Sequence, residues 1–277
     1  MIFIVTIISI LTISSSLSEI ISIKDSQNLP QAIIIGVKKC GTRALLKFLS
    51  THSSIAASSR EIHFFDSFNN FQHGLQWYRK QMPITKHNQY ITIEKTPYYF
   101  IDKYTPLRIA KTLPEVKLII ILRDPIIRAI SDYVQIRNRH ETYPTFDELI
   151  SYTNFTQWTP VKIGCYTKYL YRWLKYFPLK QIHFVNGENL IQRPWEELEY
   201  VQKFLNISIN IQEKDFYFNS NKHGFPCIRQ INGCLGSNKG RPHPTILEKT
   251  REKLKDFYSK CNAQLKQLAQ IDFSWIE

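Results

Sequence analysis

Four short apolar runs punctuate the chain, at residues 32–37, 91–93, 116–122 and 182–185, and stretches of helical spacing separate them. Short runs that are mostly apolar and rich in β-branched side chains suit strands buried on both faces. Their alternation with amphipathic stretches predicts parallel strands joined by crossover helices. The clearest helix is predicted over 166–177, where Tyr166, Tyr169, Leu170, Trp173, Leu174 and Phe177 form one apolar stripe with Lys168, Arg172 and Lys175 opposite. That stripe reads as core, not as a ladder for stacking sugars. Further helices are expected from Pro125 to near Arg137 and from Pro194 to Leu205, each opened by a proline suited to a first helical turn. Residues 219–238, rich in Gly and Asn, read as one long loop region. The fold class is therefore α/β, a single domain with a central parallel sheet and flanking helices. Ligands of such sheets bind beyond the carboxyl ends of the strands, which directs attention to the loops after Val37, Ile93 and Leu122.

The first of these loops reads Lys38, Lys39, Cys40, Gly41, Thr42, Arg43 and runs straight into Ala44, Leu45 and Leu46. A strand, a tight basic loop and a helix start aim backbone N–H groups and the positive end of a helix at an anion, and phosphate is the natural guest. The Walker pattern does not fit, because Thr42 and Arg43 follow Gly41 and the lysine precedes it. A second basic element is Arg123, Asp124, Pro125 with Ser131 about two helical turns on, so Arg123 and Ser131 can meet one anion while Asp124 caps the helix. A third is the glycine turn Lys239, Gly240, Arg241, Pro242, His243. Between the first two lies Glu61, Ile62, His63, Phe64, Phe65, Asp66, and an extended backbone there would put Glu61 and His63 on one side.

Composition narrows the compartment and the partner. The 277 residues, 43% hydrophobic and 13% aromatic, suffice for one sizeable core. Lys plus Arg number 36 against 23 Asp plus Glu, a net charge of +13 that favours a polyanionic partner: nucleic acid, an anionic membrane and a sulfated glycan all fit. The apolar start, residues 1–13, followed by a serine-rich stretch, reads as a signal peptide over 1–18; the missing positive charge before it leaves an uncleaved anchor open. Asn154 and Asn206 begin sequons permissive for glycosylation in the secretory pathway. Of five cysteines, Cys227 and Cys234 enclose a short polar loop that an oxidising compartment could close, two free thiols being the other reading. No Cys or His pair with ligand spacing accompanies them, so no metal is expected.

From Leu29 to Trp275 these segments, in this order and spacing, resemble the glucosaminyl 3-O-sulfotransferases that modify heparan sulfate. The segments that carry the resemblance are 29–46, 61–66, 94–100, 122–133 and 239–244. It implies a sulfotransferase domain over 29–277 and 3′-phosphoadenosine 5′-phosphosulfate (PAPS) as sulfuryl donor, with no metal. It implies that Lys39, Cys40, Gly41, Thr42 and Arg43 cradle the 5′-phosphosulfate, the family usually having Gly where this chain has Cys40. Arg123 and Ser131 would take the 3′-phosphate, and Lys239, Gly240, Arg241, Pro242 and His243 would close over the donor. Glu61 would be the general base, oriented by His63 and Asp66, with Lys39 neutralising the leaving oxygen. The glycan would meet Lys38, Arg43, Lys95, Gln135 and Arg241. The resemblance also implies a Cys227–Cys234 disulfide, heparan sulfate rather than nucleic acid as partner, a monomer, and a place in the Golgi lumen or outside the cell. Rival readings are a sulfotransferase acting at another heparan sulfate position, a non-catalytic heparin-binding secreted protein and a nucleotide-dependent kinase. Absence of Gly-Lys-Ser/Thr weighs against the last.

Overall fold

Five parallel strands form the centre of the molecule, in the spatial order β2, β3, β1, β4, β5. They are β1 (Ala32–Gly36), β2 (Ile55–Ala57), β3 (Ile91–Lys95), β4 (Lys117–Leu122) and β5 (Ile182–Asn186). A computed structural model describes residues 26–85, 89–140, 142–219, 224–231, 233–234, 236 and 240–276. The proposed leader, 1–18, and Lys239 lie outside the described residues. In chain order the helices that matter below are α1 (Thr42–Leu49), α2 (Phe68–Gln72), α3 (Gly74–Lys80), α4 (Thr105–Thr112), α5 (Pro125–Arg137), α6 (Tyr166–Leu174), α7 (Asn189–Gln192), α8 (Pro194–Leu205) and α9 (Glu248–Ala269).

β1 is buried throughout and pairs with β3 on one side, Ala32 opposite Ile93, and with β4 on the other, Ile33 opposite Leu118. The chain leaves β1 toward β2, returns through β3, and then crosses to β4, so the loops after β1, β3 and β4 splay apart at the sheet's carboxyl end. That is a topological switch point, where such sheets hold ligands. The four apolar runs are four of the five strands. β2 is only three residues long, too short for its pattern to mark it in the sequence.

Three elements differ from the sequence expectation. α6 ends at Leu174, although Phe177 is still buried beyond it. The region 219–238 is not loop throughout: β7 (Pro226–Ile228) pairs antiparallel with β6 (Phe216–Phe218). Carboxy-terminal α9, 22 residues long, carried no expectation because charged residues outnumber the widely spaced Leu254, Tyr258, Leu265 and Ala269 that it buries. α9 packs on a second apolar cluster, with Ile126, Ile130 and Tyr133 of α5 and Leu254 and Tyr258 of its own. A disulfide from Cys165, at the start of α6, to Cys261 of α9 ties it down, and a second disulfide joins Cys227 to Cys234 across the hairpin region. No helix among the described residues is long and apolar enough to cross a membrane.

Candidate active site

A cleft of about 770 Å³ opens at the switch point. Its walls bring together Lys38, Lys39, Cys40, Gly41, Thr42, Arg43, Glu61, His63, Lys95, Arg123, Ser131, Gln135, Gly240, Arg241, Pro242 and His243. Of the residues expected to catalyse or to bind donor and glycan, Asp66, which sits behind His63, and Lys239, outside the described residues, are not on this lining.

The basic loop is shaped by two left-handed residues, Lys39 at φ 76° and Gly41 at φ 109°. Gly41 precedes α1, whose first-turn N–H groups have no intrahelical carbonyl and face the cleft end of the helix. Positive φ falls on either side of Cys40 and not on it, so a side chain there costs nothing in backbone conformation. Cys40 N–H donates to Val37 O, at 3.1 Å, and its thiol lies 3.8 Å from the Tyr166 hydroxyl; burial pushes the thiol pKa up to about 12. Cys40 therefore borders the cleft as a neutral, packed group and its N–H is not available to an anion. Lys39 Nζ donates to Gln135 Oε1 at 3.0 Å, which ties the loop to α5.

Beneath the loop lies a charge network absent from the sequence reading. Asp132 of α5 is buried, pairs with Lys38 Nζ at 3.0 Å and accepts from the fully buried Arg128 at 3.1 Å. Arg128 also donates to Lys38 O and to Pro160 O, so one guanidinium pins the loop backbone to the helix behind it. Lys38, expected to reach the glycan, is thus half-exposed with its ammonium already anchored.

Arg123 follows β4, and Asp124 caps α5 by accepting from Ile126 N–H at 2.7 Å, as expected of it. Arg123 Nε donates to Glu188 Oε1 at 2.9 Å. Glu188 lies in the turn between β5 and α7; burial pushes its carboxyl up, against the pull of Arg123. Gly187 before it admits no side chain, because a Cβ would come within 2.8 Å of Leu122 O and 2.9 Å of Cys40 O. His243, open to solvent on one side, has its pKa lowered by partial burial and by the nearby charges of Arg123 and Lys39. Three cationic or protonatable groups from three loops thus converge on one place.

The segment around Glu61 is irregular and turns at Phe64 to Asp66, not extended throughout, with His63 left-handed at φ 53°. The turn still places Glu61 and His63 together: His63 Nε2 lies 3.6 Å from Glu61 Oε2, while Nδ1 meets Asp66 Oδ2 at 2.7 Å. A carboxylate only accepts, so the Nδ1 proton points to Asp66 and Nε2 faces Glu61. Lys95, at the end of β3, donates to Glu61 Oε1. Its side chain is 8% exposed and the carboxylate 42% exposed, so the lysine is a buried strut under a carboxylate that opens into the cleft.

Six Lys and Arg side chains line the cleft among the described residues, against the single carboxylate Glu61. Such a surface favours a polyanion with several separated charges.

A family model described as a sulfotransferase domain matches residues 29–266. The same fold appears in a sulfotransferase from Alicyclobacillus acidocaldarius, with TM-score 0.66 at 22% identity over 90% of this chain and all of that one. A mouse sulfotransferase complexed with PAP superimposes with TM-score 0.52 at 15% identity, over 88% and 92% of the two chains. Sheet, basic loop and cleft together are those of a sulfotransferase. Among curated proteins, heparan sulfate glucosamine 3-O-sulfotransferase 3B1 of Mus musculus is 45% identical over 94% of this chain and 68% of its own length. The 3A1 protein of Mus musculus is 46% identical over 90% and 65%, and the 5 protein of Homo sapiens 44% identical over 90% and 75%. The chain belongs to the heparan sulfate glucosamine 3-O-sulfotransferase family, and spans 65% to 75% of the length of these relatives.

Proposed function

We propose that this chain transfers the sulfuryl group of PAPS to the 3-hydroxyl of glucosamine residues in heparan sulfate. The observation that carries the reading is the cleft with six cationic side chains and one propped carboxylate, Glu61, in a member of this family. Both reactants are polyanions, and both must lie in one cleft for the hydroxyl oxygen to reach sulfur.

The basic loop and the N-terminus of α1 fit the donor's 5′-phosphosulfate: Lys39, Gly41, Thr42 and Arg43 offer charge, close backbone approach and a hydroxyl. Arg123, aimed by Glu188, and Ser131 fit the 3′-phosphate, and the segment Gly240 to His243 closes that side of the cleft. Glu61 takes the proton of the attacking 3-hydroxyl as its oxygen bonds to sulfur. The bond from sulfur to the 5′-phosphate oxygen breaks, and Lys39 offsets the charge left on that oxygen. His63 and Lys95 hold the two oxygens of Glu61, and Asp66 fixes the ring of His63. Arg43, Gln135 and Arg241 border the remaining space for the sulfates and carboxylates of the glycan, whereas Lys38 and Lys95, expected there too, are already paired with Asp132 and Glu61. No step calls for a metal. Asn154 and Asn206, both exposed, suit glycosylation in the secretory pathway, and we assign the protein to the Golgi lumen.

The test is incubation of the expressed domain with sulfur-labelled PAPS and heparan sulfate, followed by disaccharide analysis. Label on the glucosamine 3-hydroxyl is the expected result. Label at another position would leave a sulfotransferase of different specificity, and binding without transfer would leave a heparin-binding protein.

A further inference from the structure

Seven residues, 61 to 67, cross the floor of the cleft with no helix or strand to hold them, so side chains from elsewhere must satisfy their backbone. Ile62 N–H donates to Thr96 Oγ at 3.2 Å, and Phe64 and Phe65 N–H donate to the Tyr99 hydroxyl at 3.0 and 3.4 Å. Asn70 of α2 donates to Ile62 O and His63 O, and Arg108 of α4 donates to Phe65 O. The two hydroxyls that accept from the turn are themselves oriented. Thr96 donates to Glu94 Oε2 at 3.0 Å, Tyr78 of α3 donates to Glu94 Oε1 at 2.6 Å, and the Tyr99 hydroxyl lies close to both Glu94 and Thr96.

We infer that Glu94 is a positioning residue for the reaction, holding the Glu61 turn through Thr96 and Tyr99. The inference rests on the function proposed above. Glu94 is fully buried on β3, directly before Lys95, and touches no part of the cleft. Thr96 and Tyr78 each donate to one oxygen of this carboxyl, so the Thr96 hydroxyl points its proton inward and leaves its lone pairs to the Ile62 N–H. One strand thereby sets both ends of the constellation: Lys95 grips the side chain of Glu61, and Glu94 fixes the backbone that carries it. Phe64, stacked on Tyr78 with ring centroids 4.4 Å apart, closes the packing around the same carboxyl.

Three variants test this: Glu94→Gln, Thr96→Val and Thr96→Ser, each checked first for melting-point elevation by adenosine 3′,5′-bisphosphate as proof of a folded donor site. Amide exchange is then measured at Ile62, Phe64 and Phe65, alongside turnover. Glu94→Gln should speed exchange at all three amides by about tenfold and lower kcat by about tenfold, with KM for donor and glycan little changed. Thr96→Val should free Ile62 alone, and Thr96→Ser should restore the wild-type rates. Unchanged exchange in a folded Glu94→Gln protein, or a Thr96→Ser variant as impaired as Thr96→Val, would overturn the inference. The exchange arm needs no transfer, so a wild-type protein that moves no sulfuryl group would refute the proposed activity and leave this question answered separately.

Discussion

Glu61 sits where its environment makes one substitution decisive. Glu61→Gln keeps the side-chain volume and an acceptor for Lys95, but an amide cannot take the hydroxyl proton. Turnover should therefore fall by roughly a hundredfold or more while donor binding holds, as measured by steady-state rates beside calorimetric titration with adenosine 3′,5′-bisphosphate. An active Glu61→Gln enzyme would move the base elsewhere. On the proposed mechanism Lys39→Ala should lose turnover and donor affinity together, because the same ammonium would meet the donor in the ground state and the leaving oxygen later; calorimetry that finds affinity intact would contradict this. These residues were legible in the sequence because short motifs carry them. Glu188, Asp132 and Glu94 were not. Glu188 reaches Arg123 across 65 positions, and buried Asp132 and Glu94 look like ordinary helix and strand carboxylates until their partners are in view.

At the scale of elements, four strands and three helices followed from periodicity, whereas β2, the β6–β7 hairpin and α9 emerged only from tertiary pairing. The cysteines show why. Cys227 and Cys234 stand 7 apart and were noticed together, while Cys165 and Cys261, 96 apart, gave no local sign of pairing. Connectivity cannot be read from spacing alone. Loop closure makes the distant pair the more stabilising: the chain-entropy estimate is about 4.7 kcal/mol for a loop of its size and about 2.4 kcal/mol for the short one. Urea unfolding of Cys165→Ser/Cys261→Ser should thus show roughly twice the stability loss of Cys227→Ser/Cys234→Ser. The reverse order would mean that the hairpin disulfide matters chiefly through native contacts, among them Lys47 Nζ donating to Cys234 O at 2.6 Å.

For the whole molecule, two groups on separate strands, β3 and β5 with β1 and β4 between them, pull stability in opposite directions with pH. His183 of β5 is stacked on Phe204 and has no partner at Nε2; burial lowers its pKa from 6.5 to about 4. The unfolded chain gains a proton below pH 6.5 that the folded chain refuses, so this group's contribution is full above pH 6.5 and is lost as pH falls toward 4. Glu94 is shifted from 4.5 to about 7, by burial first and against the hydrogen bonds of Tyr78, Tyr99 and Thr96. Its folded form keeps a proton that the unfolded chain releases, so its contribution is full below pH 4.5 and is lost as pH rises to 7. Between pH 4.5 and 6.5 the two slopes have equal size and opposite sign, and they cancel. Removing either one exposes the other. Relative to wild type, His183→Leu should gain about 1.4 kcal/mol for each pH unit descended in that window, and Glu94→Gln should lose about as much. Urea melts of the three proteins at half-unit steps from pH 4.5 to 7 would measure both differences. Parallel curves for wild type and His183→Leu would show that the imidazole titrates in the folded protein much as it does in the unfolded chain, and that the mostly buried ring reaches water.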